Sequence, residues 1–365
     1  MTTIRDLFQE HGPDYIMQYG DRMPENHKKV INAIRNCRTG QCGVVLYQCK
    51  ECFEVHRAPL SCGNRHCPTC QHFKTFQWNE RVMENKLPTH NFLATFTVPE
   101  GIRSFIRSHQ KDAYGALFKC SSGAIKKLVQ NPKHIGGDVP GFFGVLHTWG
   151  RQMQYHPHIH YVISGGAISS KDGRWRPSAV DFYLPVKALS IVFKAKFRDM
   201  MKEKGLFDNI PSDVWKIDWN VNIQATHGID AIGYLSQYVF KVAISDHRIS
   251  RVMDDKITIR YSKPRSNRKR HLTLHVHEFI RRFLQHVLPR GFMKVRYYGF
   301  MHPCSSWSKS VRSLIELSLG FEVEQYETDT EIKPVDPKVC PSCGGKLEFR
   351  LVIYSISMMK GVDTS

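Results

Sequence analysis

The residues best suited to hold a catalytic metal ion form a short histidine-rich segment, residues 156–160 (His-Pro-His-Ile-His). Successive side chains of a β-strand point to opposite faces, so His158 and His160 would share one face. Neutral imidazole is the commonest metal ligand, and two imidazoles leave positions open for phosphate oxygens. Pro157 cannot donate a ladder hydrogen bond, so the strand should begin at or just after Pro157, which makes His156 a weaker candidate ligand. The alternative is an ordinary strand whose polar face carries histidines.

A third imidazole could come from the preceding strand. Residues 142–148 have the composition of a β-strand and contain His147. This side chain could complete the metal site, or it could make an ordinary hydrogen bond within the sheet. The ordinary hydrogen bond is the more common role for a histidine within a sheet.

Two tyrosines provide candidate nucleophiles. Tyr234 and Tyr238 lie in residues 233–243, a run that predicts a helix. Side chains four residues apart on a helix share one face. A tyrosine beside a metal-bound phosphate can attack it, whereas two aromatic core residues at helical spacing would give the same pattern. The histidine segment and the positive charge of the chain favour the chemical interpretation.

The densest set of potential ligands lies in residues 37–72 and comprises Cys37, Cys42, Cys49, Cys52, Cys62, His66, Cys67 and Cys70. Cys49-x2-Cys52 and Cys67-x2-Cys70 are separated by 14 residues, close to the spacing of a four-cysteine structural zinc site. Thiolates favour Zn²⁺, and a closed tetrahedral site stabilises a module too small for its own core. We therefore predict structural Zn²⁺ on these four cysteines.

The remaining ligands of this region have no unique assignment. Cys62 and His66 could replace one zinc ligand, or they could complete a second site with Cys37 and Cys42.

The C-terminal segment contains half of a zinc ribbon, Cys340-x2-Cys343. Its partners could be His302 and Cys304. A cysteine pair that holds no metal is the alternative.

The charge of the chain points to a polyanionic partner. There are 52 Lys and Arg residues against 33 Asp and Glu, a formal net charge of +19, so nucleic acid is the natural candidate. The densest cations are in residues 263–270. We predict phosphate contacts there, although such loops are often only solvated. The predicted contact residues are Lys263, Arg265, Arg268, Lys269 and Arg270.

The sequence also predicts the cellular location of the protein and the state of its cysteines. No apolar run approaches the ~20 residues needed to span a bilayer, and no signal core opens the chain, so we expect a cytoplasmic protein without membrane contact. The 11 cysteines then predict metal sites and reduced thiols rather than disulfides. There is no G-x-x-x-x-G-K-[ST] phosphate loop, which indicates that ATP is not used.

The elements that would position these residues are strands and helices in mixed order. Strand patterns cover residues 91–98, 142–148 and 219–225 beside the histidine segment, and residues 165–177 are predicted to be a loop. Helices are predicted in residues 1–36, 73–87, 102–130, 187–204 and 305–319. This order predicts an antiparallel sheet with packed helices, an α+β fold.

Several of these motifs occur together in one known family. Residues 144–150, 156–166, 234–245 and 279–289 resemble the rolling-circle insertion-sequence transposases of the IS91 type, two-tyrosine members of the HUH single-strand nuclease superfamily. The resemblance spans residues 37–300. It includes residues 62–70, which resemble the zinc module of the family.

The resemblance implies a palm-like HUH nuclease core with packed helices, preceded by a small zinc-binding domain. The chain would comprise N-terminal helices (1–36), a zinc-binding domain (37–72), a catalytic domain (73–300), and a C-terminal helix, acidic linker and CxxC tail (301–365).

The implied activity is that of a metal-dependent tyrosine DNA transposase. Mg²⁺ or Mn²⁺ on His158 and His160 would polarise the scissile phosphate. Tyr234 or Tyr238 would then displace a 3′ oxygen, leaving a 5′-phosphotyrosine and a free 3′-OH. The resemblance implies two such transfers, which nick and rejoin single-stranded DNA at element ends and target.

Two other functions share parts of this pattern. A plasmid replication initiator or relaxase would carry the same histidine and tyrosine chemistry. A non-catalytic zinc-dependent DNA-binding protein would form no covalent adduct.

Overall fold

The computed structural model describes residues 2–226, 233, 239, 243–262, 268–320 and 339–354, and of Phe73 the backbone alone. Its helices of more than one turn are α1 (Ile4–Tyr19), α2 (Glu25–Asn36), α3 (Pro68–Glu84), α4 (Arg103–Ser108), α5 (Gln110–Val129), α6 (Val186–Glu203), α7 (Val276–Leu284) and α8 (Val311–Leu319). Its strands are β1 (Val44–Cys49), β2 (Val55–Pro59), β3 (Asn91–Thr97), β4 (Val139–Trp149), β5 (Tyr155–Ser169), β6 (Arg174–Pro177), β7 (Asn220–Ala225), β8 (Ile249–Met253), β9 (Lys256–Ser262), β10 (Lys269–His275), β11 (Val295–Tyr298) and β12 (Leu347–Ile353). The strand pairs are antiparallel, which confirms the predicted α+β class.

The chain divides into two compact units. One contains Thr75–Ala243 and Leu288–Glu324, and the other contains Met1–Lys74, Ile244–Val287 and Gln325–Ser365. Residues 244–287, expected in the catalytic domain, therefore group with the N-terminal region. The expected C-terminal segment, 301–365, is shared between the units.

The first of these units is built on a six-stranded antiparallel sheet. Its order is β11-β4-β5-β3-β7, and β6 pairs with β5. Alternation along β5 buries Ile159, Tyr161 and Ile163 on one face, in a core that includes residues of α5 and α6. This core is the floor on which the histidine segment lies.

The opposite face of the same sheet carries a smaller apolar cluster. Phe143, Val145 and Val162 pack there with Val239 and with side chains of α3 such as Trp78. The indole of Trp78 lies edge-on to Phe143, with ring centroids 5.4 Å apart. Both faces are therefore covered, and β5 is buried along nearly all of its length.

The predicted loop at residues 165–177 is wrong, because β5 continues to Ser169 and pairs with β6. Gly165 and Gly166 lie within β5, where they allow side chains from other parts of the chain to pack closely against the strand. A Cβ on Gly165 would lie 2.3 Å from the ring of His90, and one on Gly166 would lie 2.5 Å from Trp175. Only glycine fits these strand positions.

Two helix boundaries also differ from prediction. α3 begins at Pro68, five residues before the predicted start, since proline is well tolerated in the first turn of a helix. The helix predicted from residue 305 begins at Val311, and residues 306–310 form turns.

The second unit contains two three-stranded antiparallel sheets, β12-β1-β2 and β10-β9-β8. Helices α1 and α7 pack together, with the rings of Phe8 and Phe283 5.1 Å apart. The N-terminal helices thus form part of this unit's core. Among the described helices, none combines the length and apolarity needed to cross a membrane.

Candidate functional site

Three histidines converge on one face of the six-stranded sheet. His158 and His160 share a face of β5, as their alternation predicted. The register places His147 of β4 directly opposite His158. The ring of His147 lies 5.4 Å from that of His158 and 4.7 Å from that of His160, centroid to centroid. One nitrogen from each ring lies within 4.8 Å of the others, so the three form a potential metal site.

Hydrogen bonds orient two of these rings. The Nδ1–H of His158 donates to the carbonyl oxygen of His156 at 2.6 Å, which leaves Nε2 with a lone pair. Nδ1 of His160 lies 2.9 Å from the hydroxyl of Thr95, its partner on β3. When Nδ1–H donates to this hydroxyl, Nε2 of His160 is also available as a ligand.

The rings are held in the neutral form that binds metals. Burial lowers the pKa of His158 well below its ordinary value of 6.5, and the neighbouring charges of His160 and His156 act in the same direction. Burial also lowers the pKa of His160 to about 4. A proton therefore does not compete for the ligand atoms at neutral pH.

The donor set fits a divalent ion. Among the residues that the structure describes, it consists of three imidazoles and contains no carboxylate. Nitrogen donors bind transition ions better than the hard Mg²⁺ ion, so of Mg²⁺ and Mn²⁺ this set favours Mn²⁺. The ring of His156 lies 5.0 Å from that of His158 but is not part of the three-ring group.

Trp149 and Lys294 lie beside the histidine site. The indole of Trp149 stacks on His147 at 4.9 Å with a 24° interplanar angle. The ammonium of Lys294 lies 4.8 Å from that indole. Trp149 ends β4 two residues after His147 and was visible as a flank, whereas Thr95 and Lys294 could be found only from strand pairing.

The candidate nucleophiles, Tyr234 and Tyr238, lie outside the described residues. The next residue, Val239, is helical and buried against Val145 and Val162. Val145 pairs with His160 across β4 and β5, and Val162 follows His160 by two residues on the same strand. The described end of the tyrosine segment thus packs beside the histidine face.

The basic segment is described in part. Lys263 and Arg265 lie outside the described residues. Arg268, Lys269 and Arg270 are exposed, and the last two begin β10, where they pair with Ser262 and Tyr261 of β9. The predicted cations therefore reach the end of a β-hairpin.

The cysteines form two clusters, which corrects the predicted single site. The first consists of Cys37, Cys62, Cys67 and Cys70. Sγ of Cys70 lies 3.6 Å from that of Cys37 and 3.5 Å from that of Cys62. Cys67 directly precedes α3, and Cys70 lies in its first turn. Cys37, from the segment before β1, joins them. Cys49 and Cys52 are absent from this group.

The second cluster consists of Cys49, Cys52, Cys340 and Cys343. The suggested pairing of Cys340 and Cys343 with His302 and Cys304 is therefore wrong. Antiparallel pairing of β12 with β1 places Leu347 opposite Cys49 and brings the C-terminal knuckle to the β1–β2 turn. Spacing analysis missed this partnership because 288 residues separate Cys52 from Cys340.

The other two candidates lie outside both clusters. The thiol of Cys42 donates to the carbonyl oxygen of Asn36 at 3.4 Å, and His66 is buried without being part of either ligand group. Within the first cluster, a hydrogen bond from Cys62 lowers the pKa of Cys67 to about 5 although burial opposes it. A thiolate is the form that binds zinc.

Comparison with known proteins agrees with this organisation. The family described as a transposase zinc-binding domain matches residues 7–98, and that described as a putative transposase matches residues 141–309. The second match contains the three histidines and the tyrosine pair. The first contains Cys37, Cys62, Cys67 and Cys70.

Two relatives extend over most of the chain. The putative transposase y4qJ of Sinorhizobium fredii is 32% identical over 319 residues, which cover 82% of this chain and 80% of that protein. The transposase for insertion sequence element IS801 of Pseudomonas savastanoi pv. phaseolicola is 24% identical over 361 residues, covering 90% and 85%. No solved structure matches the chain. The chain belongs to the IS91-type family of insertion-sequence transposases, and its N-terminal region is the zinc-binding domain of that family.

Proposed function

We propose that this transposase nicks and rejoins single-stranded DNA at the ends of its insertion sequence through a covalent 5′-phosphotyrosine intermediate. The observation that carries the proposal is the convergence of His147, His158 and His160 on one face of the sheet. Membership of a transposase family makes DNA the substrate. The sheet and its covering helices would be the HUH nuclease core of the family.

The proposed reaction exchanges one phosphate ester for another. The phenol oxygen of Tyr234 or Tyr238 forms a bond to phosphorus, and the bond from phosphorus to the 3′ oxygen breaks. The phenol loses its proton, and the 3′ oxygen leaves as a hydroxyl. Phosphodiester energy is retained in the tyrosine link, so rejoining needs no ATP.

The histidines would hold the catalytic ion with Nε2 of His158 and His160, and His147 would be the third ligand. A divalent ion held there would polarise the scissile phosphate and stabilise the charge that develops on it. The hydrogen bonds at Nδ1 of His158 and His160 keep these rings in one orientation. This fixed orientation would align a phosphate bound at the histidines for the attacking phenol.

The position of Val239 supports the assignment of the nucleophiles. Val239, the residue after Tyr238, packs against Val145 and Val162 beside the histidine face. The proposal requires that a phenol of Tyr234 or Tyr238 reach a phosphate bound at the histidines. Two phenols would allow a second transfer while the first DNA end is still attached.

The first prediction concerns the metal ligands and uses labelled single-stranded oligonucleotides of an element end with Mn²⁺. His158→Ala and His160→Ala should each reduce covalent adduct at least about 100-fold, because the ion is lost or misplaced. Single-strand binding should change little, since it depends mainly on phosphate contacts. His156→Ala is the matched control and should retain the adduct. Normal cleavage by a His158→Ala, His160→Ala double variant would exclude this metal site.

Tyrosine variants test the nucleophiles in the same assay. Either single Tyr→Phe change should leave some adduct with an isolated oligonucleotide, and the double change should leave none. Tyr47→Phe is the control. Joining of two element ends separates a transposase from a relaxase or replication initiator, which would nick without joining them. Binding with no adduct at all would identify a non-catalytic DNA-binding protein.

A further inference from the structure

Four cysteines from the two ends of the chain come together in one cluster. Sγ of Cys49 lies 3.4 Å from that of Cys343, and Sγ of Cys52 lies 3.7 Å from that of Cys340. All four sulfur atoms lie within 4.8 Å of one another. Four thiolates at the ~2.3 Å Zn–S distance of a tetrahedral site stand about 3.8 Å apart, close to these separations.

The backbone around the cysteines has the geometry of metal-binding knuckles. In each Cys-x-x-Cys turn, an amide two residues after a cysteine points at its sulfur. The N–H of Glu51 lies 3.4 Å from Sγ of Cys49, and that of Gly345 lies 3.4 Å from Sγ of Cys343. Such hydrogen bonds stabilise the thiolate form of cysteine, which is the form that binds a metal. Four protonated thiols would not need this stabilisation.

Gly345 is also a position where only glycine fits. A Cβ there would lie 2.9 Å from Sγ of Cys49. The backbone of the C-terminal turn therefore packs closely against the side chains of Cys49 and Glu51.

A β-sheet holds the two knuckles in register. β12 pairs with β1 from Val44 opposite Ile353 to Cys49 opposite Leu347. The N–H of Lys50 donates to the carbonyl oxygen of Lys346 at 3.0 Å, just outside the strands. The N-terminal knuckle thus follows the end of β1, and the C-terminal knuckle precedes the start of β12, as in a zinc ribbon.

We propose that Cys49, Cys52, Cys340 and Cys343 hold a second structural zinc ion, which fastens the C-terminal ribbon to the N-terminal zinc-binding domain. The family match for that domain ends at residue 98 and includes only half of these ligands. Tetrahedral thiolate sites take zinc or a single iron. Zinc is the assigned metal, and iron is a distinguishable outcome of metal analysis.

One further side chain contacts the proposed ligands. Nε2 of His56 lies 3.2 Å from Sγ of Cys340. An N–H donor at this distance lowers the charge density on the thiolate and fixes its orientation. His56 is therefore a positioning residue for the second site, with no place in the first cluster.

Metal content of the purified full chain tests the proposal. We expect two zinc ions per chain on a His158→Ala, His160→Ala background, which removes any zinc from the histidine site. Cys340→Ser or Cys343→Ser should each leave one, and so should Cys67→Ser. Cys304→Ser, an exposed cysteine outside both clusters, is the control and should retain two. Two zinc ions in Cys340→Ser, or iron in place of zinc in the wild type, would overturn the assignment.

A cleavage experiment tests whether zinc holds the C-terminal ribbon to the N-terminal domain. It does not depend on serine variants, which could misfold. A protease site is inserted within residues 325–335 and is cut after purification. The C-terminal fragment should remain bound to the body of the protein and should be released by a zinc chelator. His56→Ala should release it at a lower chelator concentration. Release without chelator, or retention after complete zinc removal, would show that zinc does not fasten the ribbon.

Discussion

At the scale of single residues, the candidate metal site depends on side chains that do not themselves bind the ion. His158 is oriented by the carbonyl oxygen of His156, and His160 is oriented by the hydroxyl of Thr95. Such partners decide which ring nitrogen faces the metal and how basic it is. The metal affinity of the site should therefore change when a residue that hydrogen-bonds to a ligand is substituted.

The second prediction follows for Thr95. Thr95→Val keeps the shape of the side chain and removes its hydrogen bond to His160, so Mn²⁺ affinity should fall about 10–100-fold. Isothermal titration with Mn²⁺ measures this change.

The matched control for Thr95 is Thr273→Val, which removes a 2.9 Å hydroxyl contact with Thr258 in the other compact unit. Its Mn²⁺ affinity should equal that of the wild type. Unchanged affinity in Thr95→Val would show that the hydroxyl does not orient the ligand.

A third prediction concerns pH. Because burial lowers the pKa of His160 to about 4 and that of His158 well below 6.5, both rings stay neutral as pH falls from 7.5 to 5.5. Mn²⁺ affinity should therefore change less than about threefold over this range and should fall only as pH approaches about 4. Two solvent-exposed histidines of pKa ~6.5 would lose about 100-fold through proton competition. Electron paramagnetic resonance of free Mn²⁺ distinguishes the two results.

At the scale of elements, the alternation of side chains predicted only those features that depend on one strand by itself. It predicted that His158 and His160 share a face, since this depends only on the period of two. It could not assign His147, because that requires the register of β4 against β5. Gly165 and Gly166 were misinterpreted as a loop for a related reason. Their role is the approach of His90 and Trp175, which come from other parts of the chain.

Gly144 gives the fourth prediction. It lies opposite Tyr161 on β5, and a Cβ there would stand 2.3 Å from the Tyr161 ring. That ring is fully buried and bonds to the hydroxyl of Ser121 at 2.6 Å, so it cannot move without cost. Gly144→Ala should lower the free energy of unfolding by about 1–3 kcal/mol.

The control for Gly144 is Gly115→Ala in α5, where a Cβ would meet nothing within 4 Å. This helical change should stabilise the protein by about 0.5–1 kcal/mol. Thermal denaturation compares the two variants. Equal melting temperatures for Gly144→Ala and the wild type would show that β4 and β5 can separate at this point.

At the scale of the whole molecule, the segments that fold together are distant in sequence. The CxxC pattern correctly indicated metal-binding turns, but the grouping of Cys49 with Cys52 and of Cys340 with Cys343 depends on the pairing of β1 with β12. No spacing rule reaches across 288 residues. Residues 244–287 likewise group with the N-terminal region, although their motifs belong to the stretch expected to form the catalytic domain.

The net charge of the whole chain follows from the sequence alone, whereas the positions of the charged residues do not. A charge of +19 predicts salt-sensitive binding to nucleic acid wherever the cations lie. The structure adds that Arg268, Lys269 and Arg270 are exposed at the end of a hairpin. A cationic hairpin end can contact consecutive phosphates, whereas evenly spread cations only raise the background attraction.

The last prediction separates these two sources of affinity. Replacing Arg268, Lys269 and Arg270 with Gln should weaken single-strand binding and should reduce the slope of log K against log salt by about 2, because each lost phosphate contact removes about 0.7. The control replaces Lys111, Lys133 and Lys216, three exposed lysines, with Gln and gives the same net charge. Fluorescence anisotropy at several salt concentrations measures both slopes. Equal slopes for the two triple variants would mean that the hairpin cations act only through net charge and that the phosphate contacts lie elsewhere.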